Sequence, residues 1–223
     1  MATTNSPALR RALHTRESVM TTVANRFRPV AVAALAAIRR PITVDDPFAA
    51  VRAATRSHRR AHRCGAYAYG EGTLPATAAA AVGARRIVEV GTALGYTAIA
   101  MAHATPDTHV QTIEMDQEHV RLAEEQIAAH HLADRITVLH DTAENALRTL
   151  DDGDYDLAFF DGFTPTLNVV TELHRLLRTG GSLIAGNLIL GPDRDVTDFL
   201  SDTALWRTHS FGETAWSVKL SGR

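Results

Sequence analysis

Acidic and glycine residues occur at four places where they could jointly hold a nucleoside and a reacting group. The first is Glu89-Val90-Gly91-Thr92-Ala93-Leu94-Gly95-Tyr96-Thr97. Gly91 and Gly95 let the backbone approach a ligand closely, and the helix expected after them offers free N–H groups. The second is Glu114, about 20 residues further on, where a carboxylate can accept both hydroxyls of a ribose. The third, Asp141-Thr142-Ala143-Glu144, could contact a base, and the fourth, Asp161-Gly162-Phe163, could hold a reactive centre. The spacing Gly91-x-x-x-Gly95 departs from G-x-G-x-x-G, whose middle glycine makes room for a pyrophosphate, so a dinucleotide such as NAD is disfavoured. Each segment alone also reads as an ordinary β-α turn or a helix cap. Their succession at strand ends is what points to one ligand site.

Those positions depend on a parallel sheet. From Arg86 onward, short β-rich apolar runs alternate with longer amphipathic stretches, the pattern of repeated β-α units. Strands are expected over Arg86–Val90, Val110–Glu114, Ile136–Leu139, Leu157–Asp161 and Ser182–Asn187. The stretch Asp116–Ala129 gathers Val120, Ala123, Ile127 and Ala128 on one helical face, and Leu167–Leu177 repeats that pattern. Gly180-Gly181 reads as a helix stop leading into the next strand. Trp206–Phe211 and Ala215–Leu220, separated by Gly212 to Thr214, read as a terminal antiparallel hairpin. Before residue 66 the texture is helical and broken by Pro29, Pro41 and Pro47, so residues 1–65 are expected to form a helical extension or lid and 66–223 the main domain.

Composition narrows the class of function. The 223 residues are 45% hydrophobic and 22% charged, as in a soluble globular domain with an extension. A net charge of −2 leaves no basic excess for nucleic acid. Lys219 is the single lysine, which removes that residue type as a catalytic base almost everywhere, and Cys64 is the single cysteine, which suits a reducing cytoplasm. The apolar run Val30–Ile38 is too short to span a bilayer, so no membrane anchor and no secretory signal are expected.

Five segments in order carry a resemblance to a known family. They are the Glu89–Thr97 turn, Thr112-Ile113-Glu114-Met115-Asp116, Leu132-Ala133-Asp134-Arg135-Ile136, Phe159-Phe160-Asp161, and Leu176-Leu177-Arg178-Thr179-Gly180-Gly181 leading to Asn187. From Tyr67 to the C-terminus the sequence resembles the class I S-adenosylmethionine-dependent methyltransferases, and in particular the catechol and caffeoyl-CoA O-methyltransferase-like group. The resemblance implies a Rossmann-like α/β fold, with a doubly wound, seven-stranded, mostly parallel sheet ending in the hairpin. It implies S-adenosylmethionine as cofactor, O-methylation of a phenolic or other hydroxylated small molecule, and a cytoplasmic homodimer. Gly91, Ala93 and Thr97 would line the methionine part, Glu114 would hold the ribose, and Met115, Ala143 and Glu144 would surround the adenine. Glu89, Gly95, Tyr96 and Asp161 complete the expected cofactor set, and Tyr67 and Tyr69 fall in a segment that closes over cofactor and substrate.

In that family a magnesium-type cation is held by an aspartate after strand four and an Asp-Asn pair after strand five. Asp161 and Asn187 match, but Gly186 stands at the middle position, and Thr164 replaces a frequent lysine. The site is therefore open between a metal-independent enzyme, a metal site repaired by Asp193 or Glu213, and a fold that binds the cofactor without transferring methyl or that catalyses another reaction. Without a metal a base is needed, and the candidates are Asp161, His209 and His14. Phe163, Trp206, Phe211 and Trp216 could line a flat acceptor pocket, or simply pack the core. His58 and His62 share one helical face, but Arg56, Arg59, Arg60 and Arg63 around them favour a solvated basic helix, or an anchor for an acidic group, over a metal pair.

Overall fold

The computed structural model describes residues 44–70 and 72–221. The chain divides into two compact units between Asp45 and Asp46, and the second carries every element below. In order these are α1 (Ala49–His62), α2 (Thr73–Ala81), β1 (Arg86–Val90), α3 (Tyr96–Ala102), β2 (His109–Glu114), α4 (Gln117–Ala129), β3 (Ile136–His140), α5 (Ala143–Arg148), β4 (Tyr155–Phe160), α6 (Leu167–Leu176), β5 (Leu177–Ala185), a 3-10 turn (Leu188–Leu190), α7 (Arg194–Ser201), β6 (Trp206–Phe211) and β7 (Thr214–Lys219). The sheet order is β3-β2-β1-β4-β5-β7-β6. β1 to β5 are parallel, and β7 runs antiparallel to both β5 and β6. This is the expected doubly wound sheet with its terminal hairpin. No helix among the described residues is long and apolar enough to cross a membrane.

The strands are apolar on both sides because both faces are covered. On one face Ile87, Phe159 and Ile184 pack with Val51, Ala79, Ile99, Met101 and Ile127 from α1 to α4. On the other, Val88, Ala158, Phe160 and Leu183 pack with Leu147, Val170, Leu173 and Val196 from α5 to α7. Phe48 and Val51 are buried in the first core, which seats α1 on the sheet unit. The chain leaves β1 toward β2 and β3, then returns to the other side of β1 as β4. The gap between the carboxyl ends of β1 and β4 is thus the topological switch point, where α/β sheets bind ligands.

Two local expectations are corrected. The strands expected to reach Asp161 and Asn187 stop at Phe160 and Ala185, so both polar residues lie in loops, Asn187 with φ of 60°. Gly180-Gly181 does not stop a helix: α6 ends at Leu176, and Leu177 already pairs with Tyr155 in β5. The glycines instead occupy an irregularity before Leu157 pairs with Ser182, where a Cβ on Gly181 would lie 2.9 Å from the Arg178 carbonyl oxygen.

One buried polar cluster ties β1, β2 and α3 together. Glu89 is fully buried; it accepts hydrogen bonds from Thr112 Oγ1 at 2.6 Å and from Thr97 Oγ1. Thr112 spends its only proton on Glu89, so Thr92, 2.6 Å away, must donate to Thr112. Burial pushes the Glu89 carboxyl up to about 7 against the opposing pull of the two hydroxyls. The folded chain therefore keeps a proton that the unfolded chain loses near pH 4.5. The stability this group contributes is full below about 4.5 and is lost as pH rises toward about 7. Glu89→Gln should remove a decline of up to about 3 kcal/mol across that range. Urea unfolding of both proteins at about pH 5 and about pH 7.5 checks this; parallel profiles would contradict it.

Candidate functional site

The turn after β1 is shaped by three residues in the left-handed region, Gly91 (φ 98°), Ala93 (φ 46°) and Gly95 (φ 86°). At Gly91 the absence of a side chain is required by space as well as conformation, since a Cβ would lie 2.7 Å from the Asp161 carbonyl oxygen. The β1 and β4 loops thus abut. At Gly95 the neighbours allow a Cβ, the nearest atoms being 3.7 Å away, so conformation alone is the constraint. Ala93 had given no sign in the sequence of its strained backbone. Its φ aims the N–H at Glu114 Oε2, 2.8 Å away.

Glu114, the last residue of β2, also accepts from the Asp116 N–H at 3.0 Å and has His119 Nδ1 3.6 Å from its Oε1. Two oxygens offer about four lone-pair sites. Two are taken by the backbone, and the rest can receive a ribose diol. Met115 beside it is 72% exposed, an apolar surface suited to a base. Asp116 caps α4 by accepting from the N–H groups of Glu118 and His119. At the end of β3, Asp141 accepts from Thr142 N and Asn145 Nδ2, and Thr142 caps α5. Those two residues serve the helix start, and Ala143 and Glu144 follow them in the first turn of α5.

The Tyr residues divide. Tyr96 is buried and its hydroxyl donates to Asp46 Oδ2 at 2.8 Å, so it anchors α3 rather than opening onto the cleft. Tyr69 is buried edge-on to Phe159 with its hydroxyl 2.8 Å from Thr214 Oγ1. Tyr67 is exposed and carries the Arg59 guanidinium over its ring. Glu89 and Thr97 sit beneath the Gly91 turn, joined to each other.

Asp161 follows β4, and its N–H donates to the Val90 carbonyl at 2.9 Å. Asn187 Nδ2 donates to Asp161 Oδ1 at 3.2 Å and to the Gly162 carbonyl at 2.6 Å. Enclosure by the protein raises the Asp161 carboxyl well above the usual carboxylate range; Glu89 adds to this, Asn187 opposes it, and Glu213 adds a little more. Glu213, in the turn of the β6-β7 hairpin, is held there by its carbonyl, which accepts from the Leu188 N–H at 3.0 Å. A Cβ on Gly186 would lie 3.7 Å from Asp161 Oδ1 and 3.4 Å from Tyr69 Cε2. A third ligand would project from this position, and glycine supplies none. Asp193 is exposed at the start of α7, and among the described residues no cluster of three candidate donors includes Asp161. Two of the three expected ligands remain and one of them, Asn187, already points its amide nitrogen at Asp161. The donor set does not fit a magnesium site of the family type.

His209 is corrected as a catalytic candidate. It lies exposed on β6, the edge strand, with its ring stacked on Phe211. Three strand spacings separate β6 from β4, roughly 14 Å. His14 lies outside the described residues. The aromatic wall does not form either: Trp206 is buried with His174 and Phe199 on one face of the sheet, Trp216 packs on the opposite face, and Phe163 is exposed.

A family described as a methyltransferase domain matches residues 88–188. The chain is 33% identical over 115 residues to the catechol O-methyltransferase of Mycobacterium tuberculosis (strain H37Rv), covering 51% of this chain and 52% of that protein. It is 31% identical over 145 residues to a protein of Mycolicibacterium smegmatis named as an O-methyltransferase, covering 64% of this chain and 69% of that one. The chain spans between about half and about two thirds of the length of these relatives. Among solved structures, the O-methyltransferase TomG of Streptomyces achromogenes, involved in tomaymycin synthesis and determined with S-adenosylmethionine, superposes with a TM-score of 0.69 at 22% identity, covering 88% of this chain and 98% of that one. That likeness is one of fold. With the sequence match, the sheet order and the Gly91 and Glu114 positions together, the chain belongs to the class I S-adenosylmethionine-dependent O-methyltransferases.

Proposed function

We propose that this chain transfers the methyl group of S-adenosylmethionine to a hydroxyl of a small phenolic or otherwise hydroxylated acceptor, with Asp161 taking the hydroxyl proton. The observation that carries this reading is the placement of Asp161 at the β1/β4 switch point, its backbone against the Gly91 turn and its carboxyl held by Asn187, and the enclosure that raises that carboxyl supports it. An ordinary carboxylate is too weak a base for a phenol, and one raised toward neutrality is better matched. Glu114 accepts the ribose hydroxyls and Met115, Ala143 and Glu144 border the adenine. Gly91, Ala93 and Gly95 pass close to the methionine part.

The electrostatics favour the sequence of events. Glu89 and Glu213 both act on Asp161, so the surroundings of the reacting centre are acidic. A sulfonium bound beside Asp161 would draw its carboxyl back toward the ionised form, so cofactor binding would charge the base. The acceptor oxygen then forms a bond to the methyl carbon as the carbon–sulfur bond breaks, and its proton passes to Asp161. The sulfide left behind is neutral and loses that attraction. Alignment of oxygen, carbon and sulfur supplies most of the acceleration.

The test is methyl transfer to a panel of phenols by chelator-treated protein, followed by product mass. Asp161→Asn should lower kcat by about 10²–10⁴-fold while leaving cofactor affinity within a few-fold; unchanged turnover would place the reactive centre elsewhere. Activity should fall as pH drops through the raised Asp161 titration. Asn187→Ala removes a hydrogen bond that favours the charged form, so its acid limb should move to higher pH. A limb that stays in place in Asn187→Ala would show that another group titrates. Glu114→Gln should raise the Kd for S-adenosylmethionine by about tenfold or more, since hydrogen bonds to a charged acceptor contribute about 1.5–3 kcal/mol. Calorimetric titration measures it, and normal affinity would remove Glu114 from the ribose site.

A further inference from the structure

Away from Asp161, three metal-ligating side chains converge from two helices. His58 lies near the end of α1, Cys64 follows that helix, and His119 opens α4; their donor atoms all lie within 4.8 Å of one another. The sequence places His58 and Cys64 more than fifty positions before His119, so only the fold makes them neighbours. α1 ends at Arg63 in the left-handed conformation (φ 54°), with its N–H donating to the Arg59 carbonyl at 2.8 Å. That reversal brings Cys64 back beside His58. His119 is 5% exposed, and its backbone is held by the Asp116 cap. The His58 ring meets the His119 ring edge-on at 5.4 Å and stacks on His62 at 4.5 Å.

We propose that His58, Cys64 and His119 form a binding site for a zinc-class divalent ion that fastens the segment after α1 to α4. A thiolate with two imidazoles suits Zn2+ and not Mg2+, which takes oxygen donors. Contraction from within 4.8 Å to a tetrahedral edge of roughly 3.5 Å is a side-chain movement. The fourth position is open to water or to His62, one helical turn from His58. Glu114 Oε1 stands 3.6 Å from His119 Nδ1, the carboxylate–imidazole pairing that orients metal-bound histidines.

Arg59 is turned away over the Tyr67 ring, with its Nη2 donating to the Tyr67 hydroxyl at 2.8 Å. The facing helix contributes carboxylates instead: Asp116 and Glu118 both act electrostatically on His58. The donors stand apart from Asp161, and the site adjoins the cofactor side of the cleft only through the Glu114–His119 contact.

The experiment uses the full chain, stripped with a chelator, and titrates Zn2+ by calorimetry and Co2+ by absorption. The expected result is about one ion per chain, with tetrahedral cobalt bands and a thiolate-to-cobalt charge-transfer band in the near ultraviolet. Cys64→Ser should abolish the charge-transfer band, and His58→Gln or His119→Gln should weaken Zn2+ by at least about tenfold. Cys64 lies in a half-exposed loop, so its variant keeps the test readable should a His119 variant fold poorly. Absence of stoichiometric Zn2+ binding, or a cobalt spectrum unchanged in Cys64→Ser, would overturn the proposal. S-adenosylmethionine titrated into the same chelated protein reads the cofactor site separately.

Discussion

The Glu89 carboxylate, sealed between β1, β2 and α3, is the constraint on which the rest of the cleft depends. An ionised carboxylate in such a place is costly unless hydrogen-bonded. Thr97 and Thr112 meet that need only if α3 begins where it does and β2 keeps its register with β1. The start of α3 in turn determines the path of the Gly91–Gly95 turn, because the chain has only four residues between Val90 and Gly95 in which to reverse. Glu89 also adds its charge to the surroundings of Asp161. One buried acid therefore shapes the cofactor turn and raises the basicity of the group that would take a proton.

Gly186 shows how the loss of a side chain changes chemistry without changing the fold. Its N–H donates to the Phe160 carbonyl at 2.9 Å, which joins the β4 and β5 ends. What disappears is one oxygen donor beside Asp161. A cation held there would keep Asp161 ionised; without it, enclosure and the neighbouring carboxylates push the same group toward neutrality.

Much of this architecture was legible in the sequence. β1 matched its expected span, Arg86–Val90, because Ile87, Val88 and Val90 are β-rich apolar residues and Gly91 ends the run. The hairpin was legible from its two β-rich runs. Less legible was anything that depends on backbone sign or on long-range approach. Ala93 in the left-handed region has no local signature, because alanine prefers other conformations and the distant Glu114 contact helps hold it there. Gly180-Gly181 carried a helix-stop pattern while serving a bulge, since glycine permits both. His209 looked close to the acceptor because the hairpin turn is close. The strand order places Glu213 of that turn near Asp161 and leaves His209 on the outer edge.

The histidines of α1 carry the same lesson further. Read along the helix, His58 and His62 sit among arginines, and repulsion is the natural inference. Read across the fold, the neighbours of His58 are His119, Cys64 and the acidic start of α4. Charge environment is a property of the packed surface, and the sequence shows only half of it. Glu114 lies where the two regions meet: its oxygens receive the Ala93 and Asp116 N–H groups, and one of them also faces His119. A group that draws on His119 draws on the orientation of Glu114 as well, so the α1–α4 contact and the proposed ribose contact share a single carboxylate.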